Sequence, residues 1–310
     1  MRTYSPFKFL LGVMGILNSH DNHVEPPTCP AQLEVIGAGL SKTGTQSTKF
    51  AFESLGYKVY NVESMMYHNH LDLVTSIYAS SSTEERDARI STLNTKILET
   101  GSTVVLDIPC NFLYKELFEL NPSTRVLLTT RDSPQKWTQS IQKTFHAFAP
   151  LLTWPYSWFF DLETYARMIW LEDCDHGVDI WKPWFFPWVK IAHRYYMLDE
   201  AKCRSMYDKH VLDVKANIPE DQLVVYNVKE AWVPLVQMLN ITNLNLLSSF
   251  PQVNQGADMD TVNFLTRVVA YTYPFLIAIA IGIIAHVTVF FICINTCVCV
   301  VFLDYMGCCH

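Results

Sequence analysis

The sequence predicts an α/β domain, with a parallel sheet flanked by helices, followed by a C-terminal transmembrane helix. Short apolar runs alternate with amphipathic stretches between residues 33 and 239, and the runs Val104–Leu106 and Val126–Leu128 are continuously apolar. Such runs are typical of a parallel sheet that is buried on both faces. Farther along, the run Val268–Leu303 contains no Asp, Glu, Lys or Arg. It exceeds the roughly 20 residues that a helix needs to cross a bilayer.

The period of the apolar residues predicts five strands and four helices in the first part of the chain. The predicted strands are Leu33–Gly37, Lys58–Val62, Thr103–Ile108, Arg125–Thr130 and Gln222–Asn227. The predicted helices are Thr45–Leu55, Glu84–Thr100, Phe112–Leu120 and Pro134–Thr144. Gly56 and Gly101 follow two of these helices, at the position where a left-handed residue ends a helix.

Changes in composition divide the chain into four segments. Residues 1–30 form an apolar N-terminal segment and linker, 31–255 the α/β domain, 268–303 the transmembrane helix and 304–310 a Cys-rich tail. Within the domain, residues 145–190 are crowded with aromatic side chains and are predicted to form a helical insertion. This insertion could wall an acceptor pocket, rest on the membrane, or pack as an ordinary lid.

The membrane topology stays open at this point. Arg2 and Lys8 accompany the apolar run Phe9–Leu17, which is too short to span and could be a signal segment or a short surface helix. Arg267 flanks the predicted span on the domain side, which slightly favours a cytoplasmic domain. A signal segment would instead place the domain in the lumen of the ER or Golgi. In either case we expect a single-pass protein that has the lipid bilayer as a partner.

Composition also limits the function classes. The formal net charge is -7, which argues against nucleic acid as a partner because such proteins need a basic surface. The 9 cysteines show no metal-ligand spacing, and no metal cofactor is expected. Five of the cysteines crowd near the C-terminus, where S-acylation is more plausible than metal binding. Asn240 begins an N-x-T sequon that is informative only if the domain is lumenal.

The strongest local signal is the loop Gly39–Thr45, between the first strand and the first helix. Its glycines allow the backbone to approach an anion, its N–H groups can converge, and the helix N-terminus adds positive potential. Lys42 supplies a full charge, and Thr43 and Thr45 supply hydroxyls. The loop is neither G-x-x-x-x-G-K-[ST], because Lys42 precedes Gly44, nor the dinucleotide pattern G-x-G-x-x-G. These residues predict a phosphate-binding loop outside the two commonest types.

Three motifs in order resemble the sulfotransferase family, in the branch often called sulfotransferase-like type 4. They are the Lys42-Thr43-Gly44-Thr45 loop, the element 128–140 that contains Arg131, and the strand and helix 223–235 followed by Phe250-Pro251. The resemblance implies the sulfotransferase variant of the P-loop-containing nucleotide-binding fold. It also implies 3′-phosphoadenosine 5′-phosphosulfate as co-substrate, and transfer of its sulfo group to a hydroxyl or amine. The acceptor, a small molecule, lipid or glycan, is unknown.

The resemblance further implies which residues hold the nucleotide. The residues expected around the 5′-phosphosulfate group are Ser41, Lys42, Thr43, Gly44, Thr45 and Gln46. Arg131 and Ser140 are expected to bind the 3′-phosphate. The spacing between these two is one residue longer than is usual in the family, so Gln139 is the alternative to Ser140.

The expected catalytic residues are Lys42, which would offset charge on the leaving phosphate, and Asp107, which would act as the base. Many family members have histidine where Asp107 stands, two residues before Pro109. Asp107 could instead be a structural hydrogen-bonding residue, and Glu63, His68 and His70 are rival bases. Two alternative functions therefore remain: a non-catalytic nucleotide-binding membrane protein, or a P-loop kinase or NTPase.

Overall fold

The computed structural model describes residues 32–148, 174, 199–241 and 249–251, and the positions 268, 272, 279, 282–284 and 286–288. The N-terminal segment 1–30 and the Cys-rich tail 304–310 lie outside the described residues. So does the insertion 145–190, apart from Cys174 and the helix that continues to Phe148. The predictions for these segments stay predictions.

Five strands, eight α-helices and one short 3-10 helix, Val228–Glu230, are described. The strands are β1 (Val35–Gly37), β2 (Val59–Tyr60), β3 (Val104–Val105), β4 (Arg125–Thr130) and β5 (Leu223–Asn227). The helices are α1 (Thr45–Ser54), α2 (Val62–Tyr67), α3 (Leu71–Tyr78), α4 (Thr83–Glu99), α5 (Tyr114–Leu120), α6 (Pro134–Phe148), α7 (Glu200–Asn217) and α8 (Val233–Met238). The five predicted strands and the four helices predicted between residues 45 and 144 are all confirmed. β4 has its predicted ends, and the other strands are shorter than predicted. Gly56 and Gly101 have φ of 89° and 81°, as the predicted helix ends require.

Four helices, α2, α3, α7 and α8, form where the apolar period predicts no helix. Three of them are short, with 6 residues in α2, 8 in α3 and 6 in α8. Helices of that length hold too few turns for an apolar period to show. α7 is long but packs on two sides, with Val214 in one apolar cluster and Met206 in another. Because apolar residues lie on two faces of α7, its sequence shows no clear amphipathic period.

The strands form one parallel sheet in the order β2-β3-β1-β4-β5, which confirms the predicted parallel α/β architecture. The chain runs outward from β1 to β2, returns to β3, and then crosses β1 to reach β4 and β5. β1 is therefore flanked by β3 and β4, and the direction of winding reverses there. In parallel sheets, ligands bind in the crevice at such a reversal, outside the carboxyl ends of the strands.

Alternate residues of the strands enter two separate apolar clusters. Ile36 and Val105 belong to one cluster, and their neighbours Val35 and Val104 belong to the other, together with Phe52 of α1. Because successive side chains of a strand point to opposite faces, the two clusters lie on the two sides of the sheet. The sheet is thus buried on both faces, as its continuous apolar strands predict.

The C-terminal apolar run is described only at scattered positions, all of which are helical. Across the described ranges, we find no helix that combines the length and the apolar character needed to cross a membrane. Most of the predicted transmembrane segment 268–303 lies outside the described residues, so that segment stays a prediction.

Candidate nucleotide-binding site

The loop between β1 and α1 ends in a turn that exposes main-chain N–H groups. Lys42 and Gly44 both have left-handed backbones, with φ of 70° and 99°, and Gly44 is the N-cap of α1. The first N–H groups of a helix have no partner within the helix, and a glycine N-cap has no side chain to offer them. No acidic residue occupies the first turn of α1. This end of α1 is therefore suited to bind an anion.

The loop is pressed against β4 at Gly39. A Cβ atom there would lie 2.6 Å from the main-chain oxygen of Thr129 and 2.7 Å from its nitrogen, so only glycine fits. The Thr43 hydroxyl, which is fully buried, donates to the Leu40 carbonyl oxygen at 2.6 Å and lies 2.5 Å from the Thr129 hydroxyl. Thr43 thus holds the loop together with its hydroxyl. Only its main-chain N–H is left for a bound anion.

Lys42 follows β1, and Asp107 and Arg131 follow its two neighbours in the sheet, β3 and β4. Burial lowers the pKa of the Lys42 ammonium, the Asp107 carboxylate raises it, and the Arg131 guanidinium lowers it further. Lys42 therefore interacts electrostatically with both Asp107 and Arg131. This is expected if all three residues line a single crevice at the end of β1. A desolvated ammonium beside a second cation is costly, and a bound anion would relieve that cost.

Asp107 follows β3 and is bound to the phosphate loop. One of its carboxylate oxygens, Oδ1, accepts a short hydrogen bond from the Ser41 hydroxyl and another, of 2.9 Å, from the Ile108 N–H. The other oxygen, Oδ2, accepts from the Thr45 hydroxyl at 3.1 Å. Its backbone is left-handed, with φ of 64°, a conformation that Asp and Asn tolerate better than most residues. The carboxylate therefore sits at the edge of the anion site.

Arg131 follows β4 on the opposite side of the loop. Its Nη2 lies 3.5 Å from the hydroxyl oxygen of Ser140 on α6, whereas Gln139 is exposed to solvent. Its Nε is buried and has no hydrogen-bond partner in the described part of the chain. A buried guanidinium nitrogen without a partner fits an anion between Arg131 and Ser140. This geometry favours Ser140 over Gln139 as the second residue of the pair.

Three residues that the sequence analysis did not single out support the crevice from α6 and α7. The Trp137 indole N–H donates to the Ser41 carbonyl oxygen at 2.9 Å. The Tyr207 hydroxyl accepts from the Arg131 N–H at 2.8 Å, and His210 Nε2 lies 2.7 Å from the Ala38 carbonyl oxygen. They lie far along the sequence from their partners, so no local motif reveals them.

The rival bases are engaged elsewhere. Glu63 accepts from Lys49 Nζ at 2.6 Å and from Gln46 Nε2 at 2.9 Å, so the predicted ligand Gln46 joins α1 to α2. The rings of His68 and His70 are stacked at 5.7 Å, and His70 Nδ1 lies 3.0 Å from the Tyr60 hydroxyl oxygen. Asp107, by contrast, accepts from Ser41 and Thr45 of the phosphate loop. In the described ranges, no group of three His, Cys, Asp or Glu side chains could hold a metal ion.

The stability of the fold is expected to depend on pH because His210 is buried. Burial, as the largest cause, lowers the pKa of His210. Below pH 6.5, which is about the ordinary pKa of histidine, His210 would bind a proton in the unfolded chain. In the folded chain, burial opposes that protonation. We expect the melting temperature to be steady above about pH 6.5 and to fall as the pH drops toward 5. Thermal unfolding from pH 8 to 5 measures this.

Two variants separate the contributions to this pH dependence. His210→Gln can still donate to Ala38 but does not titrate, so its melting temperature should depend less on pH. Burial also lowers the pKa of His70, so His70→Gln should remove a separate part of the slope. Burial raises the pKa of the Glu53 carboxyl, which contributes a slope of opposite sign that both variants retain. Identical slopes in the wild type and both variants would contradict this account.

The fold and the site together define a class of protein. A parallel sheet carries an anion-binding loop after its first strand, a carboxylate after one neighbouring strand and a guanidinium after the other. This is the arrangement of a P-loop-type nucleotide-binding α/β protein.

The chain belongs to the sulfotransferase family, because the family model described as "Sulfotransferase domain" matches residues 34–259. It is also 26% identical over 216 residues to "Ava biosynthesis cluster protein M" of Aspergillus versicolor, a match that covers 67% of this chain and 76% of that protein. The resemblance seen in the sequence is thus confirmed. Membership of the family supports a sulfotransferase-type function.

Proposed function

We propose that the crevice binds 3′-phosphoadenosine 5′-phosphosulfate and that the protein transfers its sulfo group to a hydroxyl or amine acceptor. The observation that carries this proposal is the strand order, which places Lys42 after β1, Asp107 after the neighbouring strand β3 and Arg131 after the other neighbour, β4. A nucleotide with phosphates at both ends of its ribose needs two separate cation sites, and Lys42 and Arg131 supply them.

The first cation site belongs to the 5′ end of the nucleotide. The N-terminal amides of α1, the main chain of the loop and Lys42 would hold the 5′-phosphosulfate. When bound, the co-substrate supplies the sulfo group and leaves as adenosine 3′,5′-bisphosphate. As the bond between sulfur and the bridging oxygen breaks, Lys42 would offset the charge on that oxygen. The buried setting of Lys42 strengthens this interaction because little water competes for the charge.

The second cation site belongs to the 3′ end. Arg131 and Ser140 would bind the 3′-phosphate, with the unpartnered Nε of Arg131 as one donor. Tyr207 holds the backbone of Arg131 in place, because its hydroxyl accepts a hydrogen bond from the Arg131 N–H. Trp137, which lies on α6 with Ser140, donates to the Ser41 carbonyl oxygen of the phosphate loop. The helix α6 therefore supports both cation sites.

Asp107 would accept the proton that the acceptor loses as its oxygen or nitrogen bonds to sulfur. Its Ser41 and Thr45 partners both belong to the phosphate loop, so an anion bound in the loop would compete for their hydroxyls. Binding of the co-substrate would then release Asp107 from two donors and leave its carboxylate oxygens available to the acceptor's proton. This coupling gives the short Ser41–Asp107 hydrogen bond a role in the catalytic cycle.

The acceptor class and the anchor complete the proposal. The relative's name places that protein in a biosynthesis cluster, which favours a small molecule among the possible acceptors. The uncharged run 268–303 supports a single-pass anchor in a lipid bilayer. A non-catalytic nucleotide-binding protein is the alternative that Asp107 keeps open, because its hydrogen bonds alone would explain its position.

Ligand-induced stabilisation of the full-length chain in detergent tests the nucleotide site. Adenosine 3′,5′-bisphosphate should raise the melting temperature without magnesium, and at 100 times its dissociation constant should stabilise the fold by about 2.7 kcal/mol. We expect Arg131→Gln to weaken this ligand roughly 10- to 100-fold, because a charge-assisted contact of about 1.5–3 kcal/mol is lost. Binding of adenosine 5′-phosphate, which lacks the 3′-phosphate, should hardly change.

A matched pair of variants on α6 serves as the control. Ser140→Ala should weaken the bisphosphate more than the monophosphate, whereas Gln139→Ala should leave both unchanged because its side chain is exposed. Stabilisation by ATP that requires magnesium, with no response to the bisphosphate, would favour the kinase or NTPase alternative instead.

A further inference from the structure

The domain contains a buried disulfide that the sequence spacing does not reveal. Cys174 and Cys203 are bonded across a sequence separation of 29, with their Cα atoms 4.6 Å apart. Cys203 has no exposed surface and Cys174 is 2% exposed. Cys110, which is also buried, is a free thiol. The bond links the predicted insertion 145–190 to α7.

The disulfide is part of the support of the nucleotide site. It packs in a cluster whose other members are Leu40, Trp137, Ile141, Met206 and Tyr207. Leu40 belongs to the phosphate loop, and Trp137 and Tyr207 bind the backbones of Ser41 and Arg131. Disulfides that serve redox catalysis are reached by partner thiols and are at least partly exposed. This one is buried and structural, so it has to form while the domain folds.

Structural disulfides form and persist in oxidising compartments and are rare in the reducing cytosol. From this bond we propose that the domain folds in the lumen of the secretory pathway and that Asn240 carries an N-linked glycan there. The inference does not depend on the sulfotransferase activity or on the nature of the acceptor. It reverses the slight preference for a cytoplasmic domain that Arg267 gives.

The position of Asn240 meets the requirements of a glycan acceptor. Asn240-Ile241-Thr242 is an N-x-T sequon, and no proline stands at its middle position. Asn240 is exposed and follows the C-cap of α8 with a left-handed backbone of φ 54°. The N–H groups of Asn240 and Ile241 bond back to α8, at Gln237 and Val236, which leaves the Asn240 side chain on a surface turn. It is separate from the residues that line the crevice.

The N-terminal sequence is compatible with this route. Arg2 and Lys8 accompany the apolar run Phe9–Leu17, an order of charged and apolar residues that is shared with signal segments. A single arginine beside the later span is a weaker determinant than a disulfide in the folded domain. The two observations that carry the inference, the bond and the sequon, lie on different elements and are independent.

The test is expression of the full-length chain in eukaryotic cells, followed by treatment with peptide N-glycosidase. We expect a gel shift on treatment and conversion of Asn240 to aspartate in the peptide mass spectrum. Asn240→Gln and Thr242→Ala should abolish the shift, whereas Thr242→Ser should keep it because serine completes the sequon as threonine does. Without reductant, Cys174 and Cys203 should resist alkylation and appear as one cross-linked peptide.

Peptide mapping of the wild-type chain keeps the test decisive even where a variant folds poorly. If Asn240 is recovered unmodified from that chain, the proposal is overturned. It is also overturned if Cys174 and Cys203 are both alkylated before reduction. A glycan that survives Asn240→Gln would place the modification elsewhere and would equally remove Asn240 as its site.

Discussion

Asp107→Asn is expected to slow sulfo transfer by about 10²- to 10⁴-fold while leaving the domain folded. The amide cannot take a proton, but its oxygen can still accept from Ser41 and Ile108. Its NH₂ group can donate to the Thr45 hydroxyl, which now serves as acceptor. Asparagine also tolerates the left-handed backbone of φ 64°. The substitution therefore removes the proton acceptor and keeps nearly all of the hydrogen bonds.

Transfer is measured with radiolabelled co-substrate and a panel of hydroxyl and amine acceptors. Release of adenosine 3′,5′-bisphosphate is followed in parallel, because it also records transfer to water. Asp107→Ala is the contrasting variant. It leaves Ser41 and Thr45 without their partner, and should lower the free energy of unfolding by about 1–3 kcal/mol in addition to abolishing activity.

The comparison decides between the catalytic and the structural interpretation of Asp107. Wild-type activity in Asp107→Asn, together with lost stability in Asp107→Ala, would mean that Asp107 only holds the loop. Glu63 would then become the next candidate base, and Glu63→Gln the next variant. Because Glu63 is paired with Lys49, that variant is expected to affect stability as well as activity.

The second large effect is expected at Lys42. Lys42→Met should slow transfer by about 10²- to 10³-fold, since a charge that stabilises the leaving oxygen is removed. Methionine is similar in length and unbranched, so the left-handed backbone is perturbed little. At neutral pH, the free energy of unfolding of Lys42→Met should equal or exceed that of the wild type. This follows because burial lowers the pKa of Lys42, which means that the ammonium form costs more in the folded chain than in the unfolded chain.

Loss of activity without loss of stability distinguishes a functional residue from a structural one. Lys58→Met, which removes the same charge from an exposed position just before β2, is the matched control and should leave the rate unchanged. Binding of adenosine 3′,5′-bisphosphate by the two variants provides a second readout. Wild-type rate and affinity in Lys42→Met would end the case for this loop as the site of transfer.

Local signals in the sequence determined the class of the fold and the position of the phosphate loop. Continuous apolar strands predicted a sheet buried on both faces, and the glycines and hydroxyl residues of 39–45 predicted an anion site, because backbone freedom and helix polarity are local properties. The resemblance at Lys42 and Arg131 identified the family. The same signals missed α7, because a helix that packs on two sides has no single apolar stripe.

Only the tertiary structure brought the site together. The strand order places Asp107 and Arg131 after the two neighbours of β1, the strand that precedes Lys42, and the packing of α6 brings Ser140 beside Arg131. The contacts that build the candidate site join residues 66 positions apart for Ser41 and Asp107, and 172 apart for Ala38 and His210. No periodicity in the sequence records such pairs, because they depend on which strands become neighbours. The Cys174–Cys203 bond arises in the same way and could not be read from cysteine spacing.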